Sequence, residues 1–360
     1  MLKKIKRVFI MICLVICCGI AGGCSGSDSE EEFEHIEDEG IQIGFSFDSF
    51  VLERWIRERD VFASAAANMG ATVNVQNANG DLATQREQIQ YFIKKKVDVI
   101  VIVAADSNGL SDVVAEARKA DIKVIAYDRM INNADINLYI SFDNEKVGEL
   151  MAKSLIGSTQ GNGNYLMLCG PTTDDNVERV VNGFNKAIEG TNINIKGTIN
   201  AENWRAEAAY EYLENNNDII SEIDGIMCGN DNIATQTVRF LAENAMAGKI
   251  PVVGQDADLE ACQRIVEGTQ LMTVYKPVES LAQTAAEAAV LLAEGKSLDE
   301  MSDDYIEKDG SITKLKTKDG RDVDYVRLEP VAVNTENMDS VIIGGGFHLE
   351  EEVYINIKNK

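Results

Sequence analysis

Residues 126–148, AYDRMINNADINLYISFDNEKVG, hold the passage that decides the fold. The stretch opens at the end of an apolar run, 122–127, whose pattern predicts a buried strand. Asp128 and Arg129 follow at once, so two opposite charges stand at the strand's carboxyl end, the edge where open α/β sheets bind ligands. A second strand is expected over 138–142, running into Asp143-Asn144 and a helical pattern over 145–155. One short segment thus carries a polar pair and a passage from one sheet toward another.

Working outward, the same grammar repeats on both sides. Upstream, strands are expected at 41–47, 72–76 and 97–103, with helices at 53–69 (closed by Gly70), 84–95 and 110–120. Downstream, strands are expected at 164–169, 193–199, 224–228, 250–254 and 271–275. Helices fall near 175–189, 204–215, 231–247, 258–267 and 278–294. Short apolar runs alternating with helices imply βαβ units and parallel sheets covered on both faces. Two such series, crossing near 143 and 276, predict an α/β architecture of two similar lobes joined by a multi-strand hinge. Residues 41–143 with 277–301 form the N-terminal lobe, and 144–276 with 326–350 the C-terminal lobe. Within the latter, 327–333 reads as a last strand and 341–347 closes the fold. The densely charged segment 302–325, with Gly310 and Gly320, stands apart as a hairpin or excursion.

At 360 residues, two lobes are the natural expectation for the chain. The net charge of −25 excludes a nucleic-acid partner, whose phosphates would need Lys and Arg. At the N-terminus, Lys3, Lys4, Lys6 and Arg7 precede an apolar stretch, 8–20, too short for a typical membrane span. Ala21-Gly22-Gly23-Cys24 follows, resembling a bacterial lipoprotein cleavage site. Residues 1–23 are therefore expected to be a lipoprotein signal peptide, and Cys24 the lipidated first residue of an extracytoplasmic protein anchored to the outer face of the cell membrane. Residues 24–40 are acidic and nearly free of apolar side chains, a self-repelling tether.

Beyond the leader and Cys24, only Cys169, Cys228 and Cys262 remain, without CxxC or metal-ligand spacing. The two histidines, His35 and His348, lie near the ends, so a metal or triad site built on histidine is not expected. No GxGxxG or GxxxxGK[ST] motif stands where a nucleotide would need it, and no cofactor is expected.

The strand ends share a character. Asp128-Arg129, Asp174-Asp175-Asn176, Asn230-Asp231, Asp256 with Asp258, and Lys276 all lie just beyond apolar runs. Asp231, Asp258 and one of Asp174/Asp175 are also good helix-cap candidates. Asp, Asn, Arg and Lys without a reactive nucleophile form a hydrogen-bonding set suited to a polyol. Carboxylates accept, Arg and Lys donate, and Asn does both. A sugar ring's C–H faces want flat aromatic surfaces, and the two tryptophans, Trp55 after Arg54 and Trp204, stand at helix starts in different lobes.

Several strings carry a closer likeness: LERW at 52–55, ANG at 78–80, AYDRMIN at 126–132, ISFDNEKVG at 140–148, GQDAD at 254–258, TVYKP at 273–277 and GFH at 346–348. Through them the chain, from 41 to about 350, resembles the bacterial periplasmic D-xylose-binding proteins, type I periplasmic binding proteins that deliver sugar to ABC importers. The resemblance implies two Rossmann-like lobes joined by a three-crossing hinge, closing on the sugar. It implies that Arg54, Asp128, Arg129, Asp174, Asn176, Asn230, Asp256 and Lys276 hydrogen-bond the pyranose, with Trp55 and Trp204 stacking on it. The loop 171–176 is one residue longer than the family's, which leaves open the choice among Asp174, Asp175 and Asn176. The expected protein is a monomer with a D-xylose-like ligand, an ABC importer permease as partner and no catalysis. A sensor kinase or chemoreceptor partner would use the same closed form. A sugar-responsive transcription regulator is disfavoured by the leader and the acidic tether. An enzyme using Asp174 and Asp256 is disfavoured because Arg129 and Lys276 are expected to keep both ionised.

Overall fold

A computed structural model describes residues 40–302 and 312–357. The expected leader at 1–23, Cys24, all of the tether but Gly40, and part of the 302–325 excursion lie outside the described residues.

The first sheet has seven strands in the order β11-β12-β5-β4-β3-β1-β2. These are β1 (Ile41–Phe47), β2 (Ala71–Asn77), β3 (Val99–Ile102), β4 (Lys123–Tyr127), β5 (Leu138–Phe142), β11 (Thr313–Lys316) and β12 (Asp322–Leu328). Its inner strand β3, Val-Ile-Val-Ile, is buried at every position, as a parallel strand covered on both faces must be. The second sheet has six strands, β13-β10-β9-β8-β6-β7. They are β6 (Asn162–Cys169), β7 (Asn192–Asn200), β8 (Gly225–Cys228), β9 (Val252–Gln255), β10 (Met272–Tyr275) and β13 (Val331–Val333). At its edge, β7 alternates exposed and half-buried residues, one face on the core and the other in solvent.

Helices α1 (Arg54–Asn68), α2 (Leu82–Lys95) and α3 (Ser111–Lys119) cover the first sheet, joined by α9 (Val278–Ala293), which packs along α1. Helices α4 (Asn144–Thr159), α5 (Asp175–Ile188), α6 (Glu207–Asn215), α7 (Asp231–Glu243) and α8 (Leu259–Glu267) belong with the second, and α10 (Glu350–Val353) packs on α8. The closest pairing, α4 with α5, depends on two glycines. A Cβ at Gly148 would meet the Val180 carbonyl at 1.9 Å, and one at Gly183 the Glu145 carbonyl at 1.9 Å, so the two backbones touch where side chains would separate them. Asp143 caps α4 by accepting from Lys146 N at 2.9 Å, fixing the turn by which the chain leaves the first sheet.

The chain passes between sheets three times: at Asp143, at Lys276-Pro277, and at Glu329-Pro330 between β12 and β13. The third crossing corrects the reading of the sequence. The expected single strand 327–333 is two strands in different sheets, because Pro330 cannot donate to a ladder and breaks the run. Residues 326–328 therefore belong to the first sheet, where β12 runs parallel to β5, and not to the C-terminal lobe. The described part of the excursion, 312–325, forms an antiparallel hairpin of β11 with β12, sewn to that sheet's edge. Residues 341–347 overlap a π-helical turn, Asp339–Ile343, whose Ile342 packs with Val333, Met338 and Phe347. Among the described residues no helix is long and apolar enough to cross a membrane.

Candidate functional site

The strand ends named above converge on one cleft. Its lining includes Arg54 and Trp55 from the start of α1, Asp128 and Arg129 after β4, and Asp174 and Asn176 at the start of α5. Trp204, Asp256 and Lys276 complete the group. Asn230 is the exception. It caps α7, its Oδ1 accepting from Ile233 N at 2.9 Å, and the backbone of Gly229 lines the cleft instead. All ten residues are 8 % exposed or less.

The cations are held by carboxylates. Arg129 donates from NH1 to Asp48 Oδ2 at 2.6 Å and to the Ala104 carbonyl at 3.1 Å, while its Nε pairs with Asp174 Oδ2 at 2.7 Å. Arg54 donates from Nε to Glu58 at 2.5 Å and from NH2 to Asp128 at 2.9 Å, and its NH1 stands 3.7 Å from Asp256. Lys276 Nζ lies 3.2 Å from the same Asp256 oxygen. Charges this deep persist only in pairs. Burial works against the Arg54 and Arg129 cations, but the surrounding carboxylates, led by Asp128 and Asp174 respectively, hold both guanidiniums above their ordinary range. Burial likewise works to raise Asp128, yet Arg54, Lys276 and Arg129 together outweigh it and keep its carboxyl below the usual range. For Asp174 the balance is reversed: burial exceeds the pull of Arg129 and raises the carboxyl above its ordinary value.

Among the three candidates of the 171–176 loop, the helix cap decides which way each side chain points. Asp174 caps α5 by accepting from Asn176 N at 3.0 Å and faces Arg129. Asn176 turns inward, donating to Asp128 Oδ1 at 3.1 Å and accepting from Asn144 at 2.9 Å. Asp175 turns away, to Arg179 at 2.8 Å and to Lys318 on the β11–β12 hairpin at 2.7 Å. Asp231 is not the cap of α7 either. Its carboxylate accepts from Thr273 at 2.7 Å, Gln270 at 2.9 Å and the Asp258 amide at 3.1 Å, bracing the loop that carries Asp256. Asp258 stands at the start of α8 without a side-chain capping bond.

Both indoles line the cleft. Arg54 lies 4.4 Å above the Trp55 ring, leaving the indole bounded by cationic nitrogen. Trp204 ends a short 3₁₀ turn, Glu202–Trp204, ahead of α6. Its φ is +57°, and its ring lies so close to Gly170 that a Cβ there would meet it at 2.3 Å. Asp128 (φ +60°) and Asp256 (φ +99°) share this left-handed strain. The Asp128 carbonyl is held by Ser141 Oγ at 2.7 Å and Asn176 at 3.1 Å, and the Asp256 amide donates to Val274 at 2.8 Å. These bonds hold the two strained backbones in place.

Sequence reasoning missed Gln255, which lines the cleft and donates to the Gly229 carbonyl at 2.5 Å, and Asp48, which holds Arg129. Gln255 is the last residue of β9 and Asp48 follows β1, the strand-end signal used for the others. Buried polar atoms without a hydrogen-bond partner gather here: Nε1 of Trp55 and Trp204, Nδ2 of Asn230, Oε1 of Gln255 and Oδ1 of Asp48. Cys169 also lines the cleft, its thiol pushed up to about 12 by burial, so it packs and does not react.

A family model described as a periplasmic binding protein domain matches residues 43–297. The chain belongs to the periplasmic binding protein family. This binding protein is 41 % identical over 321 residues to the D-xylose-binding periplasmic protein of Escherichia coli (strain K12), spanning 87 % of this chain and 92 % of that one. It is 39 % identical over 325 residues to the protein of the same name from Haemophilus influenzae, again over 87 % and 92 % of the two chains. The fold of the binding protein matches an ABC transporter solute binding protein from Clostridium phytofermentans, solved with bound β-D-glucose. The TM-score is 0.76 at 23 % identity, over 87 % of this chain and 99 % of that one. That likeness establishes the two-lobed type I architecture.

Proposed function

We propose that this binding protein is the extracytoplasmic receptor of an ABC sugar importer, taking D-xylose or a close pentopyranose. The observation that carries the reading is the cleft itself: Arg54, Arg129 and Lys276 already paired with carboxylates, between two buried indoles whose N–H groups lack partners. A pyranose offers hydroxyls that both donate and accept, and C–H faces for the rings. The ten proposed contacts are Arg54, Trp55, Asp128, Arg129, Asp174, Asn176, Trp204, Asp256, Lys276 and, through the Nδ2 that its capping role leaves unpaired, Asn230. The names of the two relatives, at about forty per cent identity over nearly their whole length, supply the sugar.

Contacts from both sheets make closure and binding one event, so sugar shifts an open–closed equilibrium and the permease reads the closed form. The protein works as a monomer, held to the outer face of the membrane by a diacylglyceryl Cys24 with residues 24–40 as spacer, since a single acyl chain would hold only weakly. It carries out no catalysis. Titrating intrinsic fluorescence with D-xylose, D-glucose, L-arabinose and D-ribose tests the site, because both tryptophans of the chain line the cleft. Saturable change with xylose, recovered unchanged, is expected. A response confined to another sugar would overturn the specificity, and silence with all four the site. Cys24→Ala should move the protein from the membrane fraction to the medium; retention would sink the anchor.

A further inference from the structure

Arg54 is gripped from behind by a residue that does not itself line the cleft. Glu58 lies one turn along α1 and is 0 % exposed. One of its oxygens accepts from Arg54 Nε at 2.5 Å and the other from the Tyr127 hydroxyl at 2.5 Å. The guanidinium is a planar fork, so two anchored nitrogens fix the direction of the third. Nε is committed to Glu58 and NH2 to Asp128, which leaves NH1, 3.7 Å from Asp256, as the donor free for a ligand.

We propose that Glu58 is a positioning residue for ligand binding: ionised, it locks the plane of Arg54 so that NH1 points into the cleft; protonated, it releases that lock and affinity falls. The inference rests on the sugar-site reading above. The groups that face Glu58 are Arg54 on its own helix, Tyr127 at the end of β4, and Asp128 just beyond. Burial pushes the Glu58 carboxyl up to about 7, opposed by Arg54 and the Tyr127 hydrogen bond and assisted by the neighbouring Asp128 charge. Titration thus falls where an external medium can vary. Once neutral, the carboxyl can give its proton only to an acceptor. Arg54 has none, so Nε is left against an uncharged oxygen.

Linkage gives a second, opposite signature. A carboxyl raised above its unfolded value near 4.5 binds an extra proton in the folded state between pH 4.5 and about 7. Its contribution to the stability of the sugar-free protein therefore grows as pH falls through that window, while sugar affinity declines.

The test is D-xylose affinity by calorimetry from pH 5.5 to 8.5 for the wild type, Glu58→Gln and Tyr127→Phe. The wild type should lose about tenfold in affinity toward the acid end, the ratio expected when one charge-assisted hydrogen bond becomes a neutral one. Glu58→Gln keeps the shape but cannot ionise. It should be about tenfold weaker at pH 8.5 and nearly flat with pH, for the same reason. Tyr127→Phe should keep the high-pH affinity and move the midpoint upward, since a hydrogen bond favouring the ionised form is gone. Wild type and Glu58→Gln giving superimposable profiles would overturn the inference while leaving the sugar site standing. If Glu58→Gln does not fold, an unmoved midpoint in Tyr127→Phe overturns it. A wild type that binds no sugar at any pH overturns the site reading and this inference together.

Discussion

Two ion clusters span the cleft, and they differ in nearly every physical respect. In the inner one, Arg129 sits between Asp48 and Asp174 with all three side chains 8 % exposed or less. In the outer one, Lys318 at the tip of the β11–β12 hairpin reaches Asp175 and Glu178 at the start of α5, both at 2.7 Å, with Lys318 54 % and Glu178 60 % exposed. Each joins a residue of the first sheet's lobe to the same turn of the second. Asp174 and Asp175 are neighbours in the chain, yet the cap geometry of α5 sends one inward and the other out. Desolvation decides what each cluster can do. The inner pair cannot be separated without stranding charge in a low-dielectric site, so it fixes donors for a ligand. In the outer cluster Lys318 and Glu178 stand in water, while Asp175 is 2 % exposed but keeps Arg179 as a second partner, so the lysine can leave without stranding a charge.

The largest effect should come from breaking the inner cluster. Arg129→Ala strands Asp48 and Asp174 together, and losing one partner of a buried pair costs about 3–5 kcal/mol. D-Xylose affinity measured by calorimetry should fall by more than ~100-fold, since each 1.4 kcal/mol is tenfold. Near-normal affinity would show that the inner cluster is structural and the comparison false. Trp204→Ala comes next. It removes one stacking face and frees the strained turn at φ +57°, and a loss of about tenfold in affinity is expected. An unchanged constant would remove Trp204 from the site.

How much of this was legible in the sequence follows the same division. Asp128, Arg129 and Lys276 sit at strand ends with abrupt polarity after apolar runs, a local signal from which they could be read directly, whereas Arg54, at the start of α1, came only from the family resemblance. Asn230 carried the same signal but serves as a cap with only its Nδ2 left over, because Asp and Asn at strand ends look alike whether they face a helix or a ligand. The choice among Asp174, Asp175 and Asn176 needed the cap bond to Asn176 N, which depends on where α5 begins to within one residue. The outer cluster was illegible. Lys318 lies 143 residues from Asp175, and nothing local says that the hairpin joins the first sheet. The split of 327–333 by Pro330 rests on a legible signal, a proline inside a strand pattern, as Asp48 just after β1 does.

The neighbouring aspartates offer a sharper contrast through pH. Burial raises Asp174 despite Arg129, so the folded state binds its proton more readily than the unfolded chain and its ionised form at neutral pH opposes folding. Burial also acts to raise Asp175, but Lys318 and Arg179 outweigh it, so its contribution is present above the ordinary carboxylate value and lost as pH falls through the lowered one. Thermal unfolding at pH 7 without sugar should therefore show Asp174→Asn as stable as the wild type or more so, and Asp175→Asn less stable, with the latter deficit shrinking in acid. Binding should rank them the other way, Asp174→Asn being the more damaging. Matching behaviour of the two variants would mean that the two clusters are one.

The smallest effect is expected from Lys318→Ala, and it separates closure from recognition. Lys318 touches no residue of the cleft lining except through the α5 turn, so its removal leaves the donors around the sugar in place. What it removes is the pull of an exposed lysine on the exposed Glu178 and on the buried Asp175, which keeps Arg179 as its partner, so the loss is about 0–1 kcal/mol. Affinity should fall by no more than about fivefold, that energy expressed as a ratio. The decisive reading is salt. Exposed charges are screened over about 8–10 Å at physiological ionic strength, whereas the Arg129 cluster is shielded by burial. Wild-type affinity should weaken modestly between low and high salt, and the Lys318→Ala variant should start at the weaker value and hardly change. If the variant keeps the full salt dependence, the hairpin is not a clasp, and closure is carried by the inner cluster and the hinge alone.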